Sequence, residues 1–173
     1  MKNLIYEKRQ ENLKNCLAKK GSDGMLITNM TNIKYISGFT GSAASCLITP
    51  KGNYFITDGR YIEQSKEQVV GFEIFISMDP HLSQIKKNNL ISKDCKLFFE
   101  GDHMSFALYQ NMTQEFPKVQ WENSSMIIED LAAVKDSHEL DCLRTAVEVT
   151  DKVYEETIPM LRPGYTEKQV CLL

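Results

Sequence analysis

The side chains of this sequence whose types and spacing could do chemistry are few and scattered. The histidines are His81, His103 and His138, far apart from one another, and nothing of the form H-E-x-x-H occurs. No helix face carries two imidazoles for a zinc ion, so the histidines read as surface residues and no metal ligand is assigned. Ser45 adjoins Cys46 as a nucleophile pair would. No histidine lies near them in sequence, and the apolar run around them explains both as strand residues. Asp58 and Arg60 are spaced for a carboxylate–guanidinium pair. A helix cap combined with an ion pair accounts for them, and no catalytic role is assigned. Gly38-Phe39-Thr40-Gly41-Ser42 has glycines enough to cradle a phosphate but lacks the G-x-x-x-x-G-K-[ST] spacing and its lysine. It reads as a tight loop with φ > 0 at its glycines. Tyr35, Phe39 and Tyr61, around that loop, read as core or loop-packing aromatics.

The elements that must position these residues follow from periodicity. Residues 3–20 read as a helix with Ile5, Leu13, Cys16 and Leu17 on one stripe and Gly21 as its stop. Met25 to Thr28 is a buried strand, and Thr31 to Ser37 one helical turn capped by Thr31. Ser45–Thr49 and Tyr54–Thr57 flank Pro50-Lys51-Gly52-Asn53, the pattern of a β-hairpin. Asp58 caps a helix from Arg60 to Val69, Phe72–Ile76 is another strand, and Asp79-Pro80 opens a short helix. Lys96–Glu100 forms a strand ended by Gly101. Residues 105–116 form a helix with Phe106, Tyr109 and Phe116, and a weak strand runs from Val119 to Trp121. Strands alternating with helices after one hairpin give an α/β class with a mixed sheet.

Near residue 130 the pattern changes. Asp136-Ser137-His138-Glu139 has the D-x-x-E form of a helix start. Leu140, Leu143, Val147, Thr150, Tyr154 and Leu161 then recur at helical spacing over about 24 residues. Pro163-Gly164 breaks the pattern, and Thr166-Glu167-Lys168-Gln169 starts a further helix with a capping-box sequence. Residues 1–129 are read as one domain, and 130–173 as a linker with the first helices of a second, truncated one.

Composition narrows the partners. In 173 residues, 42% are hydrophobic and 25% charged, and the formal net charge is -3 with pI ≈ 5.7. That is ordinary for a globular protein and gives no basic surface for nucleic acid or an anionic membrane. Met1 to Gln10 turns charged after three apolar residues, unlike a signal peptide, and no apolar run approaches the roughly 20 residues of a membrane span. Cys16, Cys46, Cys95, Cys142 and Cys171 are odd in number and dispersed, which fits free thiols in a reducing compartment. The expectation is a cytoplasmic protein.

Five segments in register carry a family resemblance. Met25–Thr28 matches a first apolar strand. Asn32 to Ser42 has the form asparagine–aliphatic–x–tyrosine–x–serine–glycine–phenylalanine. Thr57-Asp58-Gly59-Arg60-Tyr61 with Gln64 follows, then Val134–Leu140, then Arg162-Pro163-Gly164-Tyr165-Thr166-Glu167. Together they resemble the amino-terminal domain of the creatinase/prolidase/aminopeptidase P family, metallohydrolases that cut the imide bond before proline. The resemblance implies a mixed β-sheet flanked by helices with a ribonuclease-H-like motif, followed by the helical start of a pita-bread catalytic domain.

It further implies two divalent metal ions (manganese, cobalt or zinc) held by two aspartates, a histidine and two glutamates that follow this segment in family members. A hydroxide bridging such ions is a nucleophile at neutral pH. No residue here inherits a metal or catalytic role, and the chain alone is expected to be inactive. The implied role is to form a homodimer and to narrow the route by which proline-containing peptides reach the metals, with Tyr35, Gly38, Phe39, Thr40, Gly41 and Ser42 bordering the channel. Asp58, Arg60 and Tyr61 then belong to the family's structural motif. The same resemblance leaves open a creatinase-like amidinohydrolase, or a peptidase-like protein-binding module without activity.

Overall fold

In the computed structural model, which describes residues 2–172, the apolar runs become strands of one sheet. They are β1 (Gly24–Ile27), β2 (Ala44–Thr49), β3 (Gly52–Thr57), β4 (Glu73–Ile76), β5 (Lys96–Phe99) and β6 (Gln120–Asn123). Their order across the sheet is β4-β3-β2-β1-β5-β6. β2 runs antiparallel to both β1 and β3, and the outer pairings are parallel. The hairpin β2–β3 and the crossovers on either side thus give the expected mixed α/β sheet.

The two-residue period of the strands divides the core. Met25, Ile27, Cys46, Ile48, Phe55 and Phe98 face one side, against helices α1 (Lys2–Lys19), α2 (Met30–Ser37) and α6 (Ile127–Ala133). Leu26, Leu47, Tyr54, Ile56, Leu97 and Phe99 face the other, against α4 (His81–Lys87) and α5 (Phe106–Glu115). Helix α3 (Ile62–Gln68) follows a 3-10 turn at Gly59–Tyr61 at the end of β3.

Several local expectations shift. Helix α2 begins at Met30 and makes two turns, because Asn29 rather than Thr31 is the cap: its side chain accepts from the Thr31 backbone N–H at 3.0 Å. The helix expected from Arg60 to Val69 starts as 3-10, since Asp58 caps Arg60 N–H directly. In α5 the fully buried residue is Met112, while Phe106 is 72% exposed. On α1 the stripe of Leu13 and Leu17 is buried as expected, but Arg9 and Gln10 are buried with it. Glu100 leaves the β5 ladder and turns inward.

Two compact units divide at Ala133–Val134. Ile127 and Ile128 are buried with Leu13 and Ile33, so α6 packs within the first unit. In the second, α7 (Ser137–Thr157) starts with a capping box in which Asp136 accepts from Glu139 N–H at 2.9 Å and Glu139 from Asp136 N–H at 3.0 Å. It tightens into a 3-10 turn at Ile158–Met160, so it is shorter than the apolar repeat. A second capping box, Thr166 with Gln169, starts α8 (Glu167–Val170). Among the described residues no helix is long and apolar enough to cross a membrane.

Candidate functional site

The loop 38–42 is built from the end of α2. Gly38 adopts φ 85° and donates its N–H to the Lys34 carbonyl, closing the helix with a left-handed residue. A Cβ there would also lie 2.9 Å from the Gln68 carbonyl oxygen. Gly41 is glycine for a different reason. It does not have a positive φ, contrary to the expectation for both glycines, but a Cβ would run into the Phe39 ring and meet Tyr61 at 2.9 Å.

Phe39 is fully buried and is the anchor of the loop. Its ring stands edge-on to Phe55 (centroids 4.9 Å apart) and to Tyr61 (5.3 Å). Beyond it the chain emerges. Ser42 donates its backbone N–H to the Tyr61 hydroxyl at 3.2 Å, and the two hydroxyls lie 2.7 Å apart. These contacts, led by the Ser42 hydroxyl, lower the Tyr61 pKa from its usual value. Thr40 N–H and Oγ1 both donate to Gln68 Oε1, at 2.9 and 3.0 Å, and Gln64 Nε2 donates to Thr40 Oγ1 at 3.0 Å. Thr40 and Ser42 are exposed. The result is a pinned polar rim of hydroxyls and amides, with no formal charge on residues 38–42.

Asp58 and Arg60 lie beside this rim and pair with each other. Arg60 Nε and Nη2 reach the two carboxylate oxygens at 2.9 and 2.8 Å. That guanidinium holds the Asp58 carboxyl down at about 2. The Arg60 guanidinium also sits 5.2 Å from the Tyr61 ring centroid. Tyr35 is on α2 rather than on the loop, its ring 4.2 Å from the Arg9 guanidinium. Arg9 Nη1 donates to the Tyr35 carbonyl at 2.9 Å. Gln10 closes the frame: its Nε2 donates to the carbonyls of Ile36 (3.0 Å) and Val70 (2.7 Å), and its Oε1 accepts from Asn53. One buried amide therefore ties the end of α2, which leads into the loop, to the segment that follows α3.

Two features were not visible as sites in the sequence. Glu100 is 5% exposed, accepts from Thr28 N–H (2.6 Å), Asn29 N–H (2.7 Å) and Asn32 Nδ2 (2.7 Å), and thereby organises the start of α2. Asn32 Nδ2 also donates to Glu129 Oε1 at 2.6 Å. Burial raises the Glu100 pKa, and nearby Glu129 adds to the rise, against the hydrogen bonds that lower it. The glycine that ends β5 marked a turn but did not point to a buried carboxylate. The second is His81, which is not a surface residue: it is half-buried, and its Nδ1 lies 2.8 Å from Ser45 Oγ. Cys46, beside Ser45, points to the opposite face of the sheet, where burial pushes its thiol up. His103 and His138 are exposed. Among the described residues no three His, Cys, Asp or Glu side chains converge to hold a metal ion.

Residues 9–134 match the family model of the creatinase/prolidase N-terminal domain. The chain is 35% identical over 162 residues to an uncharacterized peptidase, YqhT, of Bacillus subtilis, covering 93% of this chain and 46% of that protein. The fold superposes on an Xaa-Pro dipeptidase from Bacillus anthracis with TM-score 0.86 and 30% identity, over 95% of this chain and 46% of that one. It also superposes on the N-terminal domain of the cytoplasmic peptidase PepQ from Mycobacterium tuberculosis with TM-score 0.65 and 26% identity, over 72% of this chain and 98% of that one. The chain thus spans about half the length of the longer relatives it matches.

Proposed function

Because the chain belongs to the creatinase/prolidase N-terminal domain family, we propose that it serves a cytoplasmic Xaa-Pro aminopeptidase or dipeptidase as its non-catalytic amino-terminal half. Its task is to shape access to a metal centre of two manganese, cobalt or zinc ions carried by a following catalytic domain, and to take part in a homodimer. The observation that carries this reading is the pinned, uncharged rim of Thr40 to Ser42. A loop that borders a peptide channel needs exposed hydrogen-bonding groups in a fixed place, and this one has Phe39 sunk in the core and Tyr61 and Gln68 holding its crest. Neutral hydroxyls and amides suit a peptide backbone without selecting a charged side chain. Selectivity then arises by excluding chains that do not fit past the rim.

No step of bond cleavage is assigned to residues of this chain. The test is turnover. The purified chain, supplied with manganese, cobalt or zinc, is expected to hydrolyse no Xaa-Pro dipeptide or tripeptide, while the enzyme with its catalytic domain hydrolyses them. Metal-dependent cleavage by the chain alone would overturn the reading.

A further inference from the structure

Across the sheet from the loop, α4 and α5 leave a cleft of about 410 Å³. Its size falls within the range of small-molecule sites, roughly 300–1,000 Å³. Leu26 on β1, Leu82 and Ile85 on α4, and Leu108 on α5 supply apolar walls. Strand alternation brings Thr28 and Ser45 to the same face as Leu26 and Leu47, and α4 brings His81 to meet Ser45.

Two observations point to a ligand of particular chemistry. First, the Ser45–His81 pair offers a donor and an acceptor in either tautomer. If Nδ1 accepts from Ser45, the other ring nitrogen donates and Oγ keeps a lone pair; if Nδ1 donates, the Ser45 hydroxyl is free to donate and the other ring nitrogen accepts. Second, the cleft presents no unpaired charge. Glu115 is held by Lys86 at 2.6 Å, and burial lowers the His81 pKa, favouring the neutral ring. Asp58, whose charge raises the His81 pKa, pairs with Arg60 and makes no hydrogen bond to His81, so a Ser–His–Asp relay is not assembled.

We propose that the cleft between α4 and α5 is a binding site for a small uncharged molecule with an apolar body and a primary amide or hydroxyl head, the head meeting Ser45 and His81. A mere tie between β2 and α4 would need the Ser45–His81 bond alone, with no open volume beside it.

The test is a titration of the isotopically labelled chain, followed by NMR, with benzamide, benzyl alcohol, benzoate and benzylamine. Benzamide and benzyl alcohol are expected to shift Leu26, Ser45, His81 and Leu108 saturably, with roughly millimolar affinity. Benzoate and benzylamine bind about tenfold or more weakly, because a charge entering the cleft loses water without gaining a partner. Ser45→Ala weakens benzamide about tenfold, and Leu108→Trp, which fills the cleft from its wall, abolishes the shifts while the remaining spectrum stays folded. Absence of saturable shifts, equal binding of all four probes, or unchanged binding in folded Leu108→Trp would each overturn the proposal.

Discussion

The two faces of the sheet are finished differently. On one, the long helix α1 joins α2 and α6, and buried polar groups lock them together: Gln10 bonds two carbonyls, and Glu100 accepts three N–H groups. On the other, two short helices cover the strands and leave a cleft beside the Ser45–His81 pair. The comparison separates rigidity from openness. The exposed rim at Thr40–Ser42 is rooted in the closed face through Phe39, whereas the α4–α5 face has room to take a guest.

The contrast can be broken from the closed side first. Phe39→Ala removes a fully buried ring from between Phe55 and Tyr61 and is expected to cost about 4 kcal/mol in urea denaturation. Glu100→Ala strands the backbone N–H groups of Thr28 and Asn29 and leaves Asn32 with Glu129 alone, a loss of about 3 kcal/mol. The Glu100 charge also leaves a pH signature. Its pKa is raised in the fold, so its contribution is greatest below the ordinary carboxylate value and declines as pH rises through the folded value, levelling off above it. Glu100→Gln flattens that decline in stability measured between acid and neutral pH.

On the open face, Leu108→Ala trims a half-buried side chain beside an existing cleft and costs about 1 kcal/mol, well below the closed-face substitutions. Equal losses on both faces would erase the comparison. At the rim, Tyr61→Phe deletes the hydroxyl that holds Ser42 and lowers stability less than Leu108→Ala does, with faster amide exchange at Ser42 as the sharper readout. The smallest stability effect is expected for Arg60→Met, since the pair is exposed. There the readout is titration: the Asp58 carboxyl, held at about 2, rises toward its ordinary value but stays below it, because the backbone N–H of residue 60 still donates to it. Whatever stability the pair gives is present above about 4 and fades as pH falls toward 2.

The strands were legible because Leu26, Leu47 and Leu97 alternate with Met25, Cys46 and Phe98 across a sheet buried on both faces, and the capping sequences at Asp136 and Thr166 act within four residues. Gly38 was legible as a residue needing a left-handed conformation. Gly41 was misjudged, because its constraint is a neighbouring ring that only the fold brings close. Buried Gln10 and Glu100 were illegible for the same reason: a polar residue on an apolar stripe looks solvated until its carbonyl and N–H partners arrive from elsewhere in the chain. Ser45 and His81 show the limit most clearly. Their distance in sequence gave no sign of a 2.8 Å contact, which exists because β2 and the start of α4 meet on one face.

The account rests most heavily on the rim at residues 40–42, and peptide-length selectivity tests it directly. In the two-domain enzyme proposed above, kcat/KM is measured for an Xaa-Pro dipeptide and for a longer Xaa-Pro peptide, before and after Thr40→Trp. The account predicts a selective change: the longer peptide loses about tenfold or more while the dipeptide changes less than about twofold. If a folded Thr40→Trp enzyme treats both peptides as before, or loses both equally, the loop does not govern access.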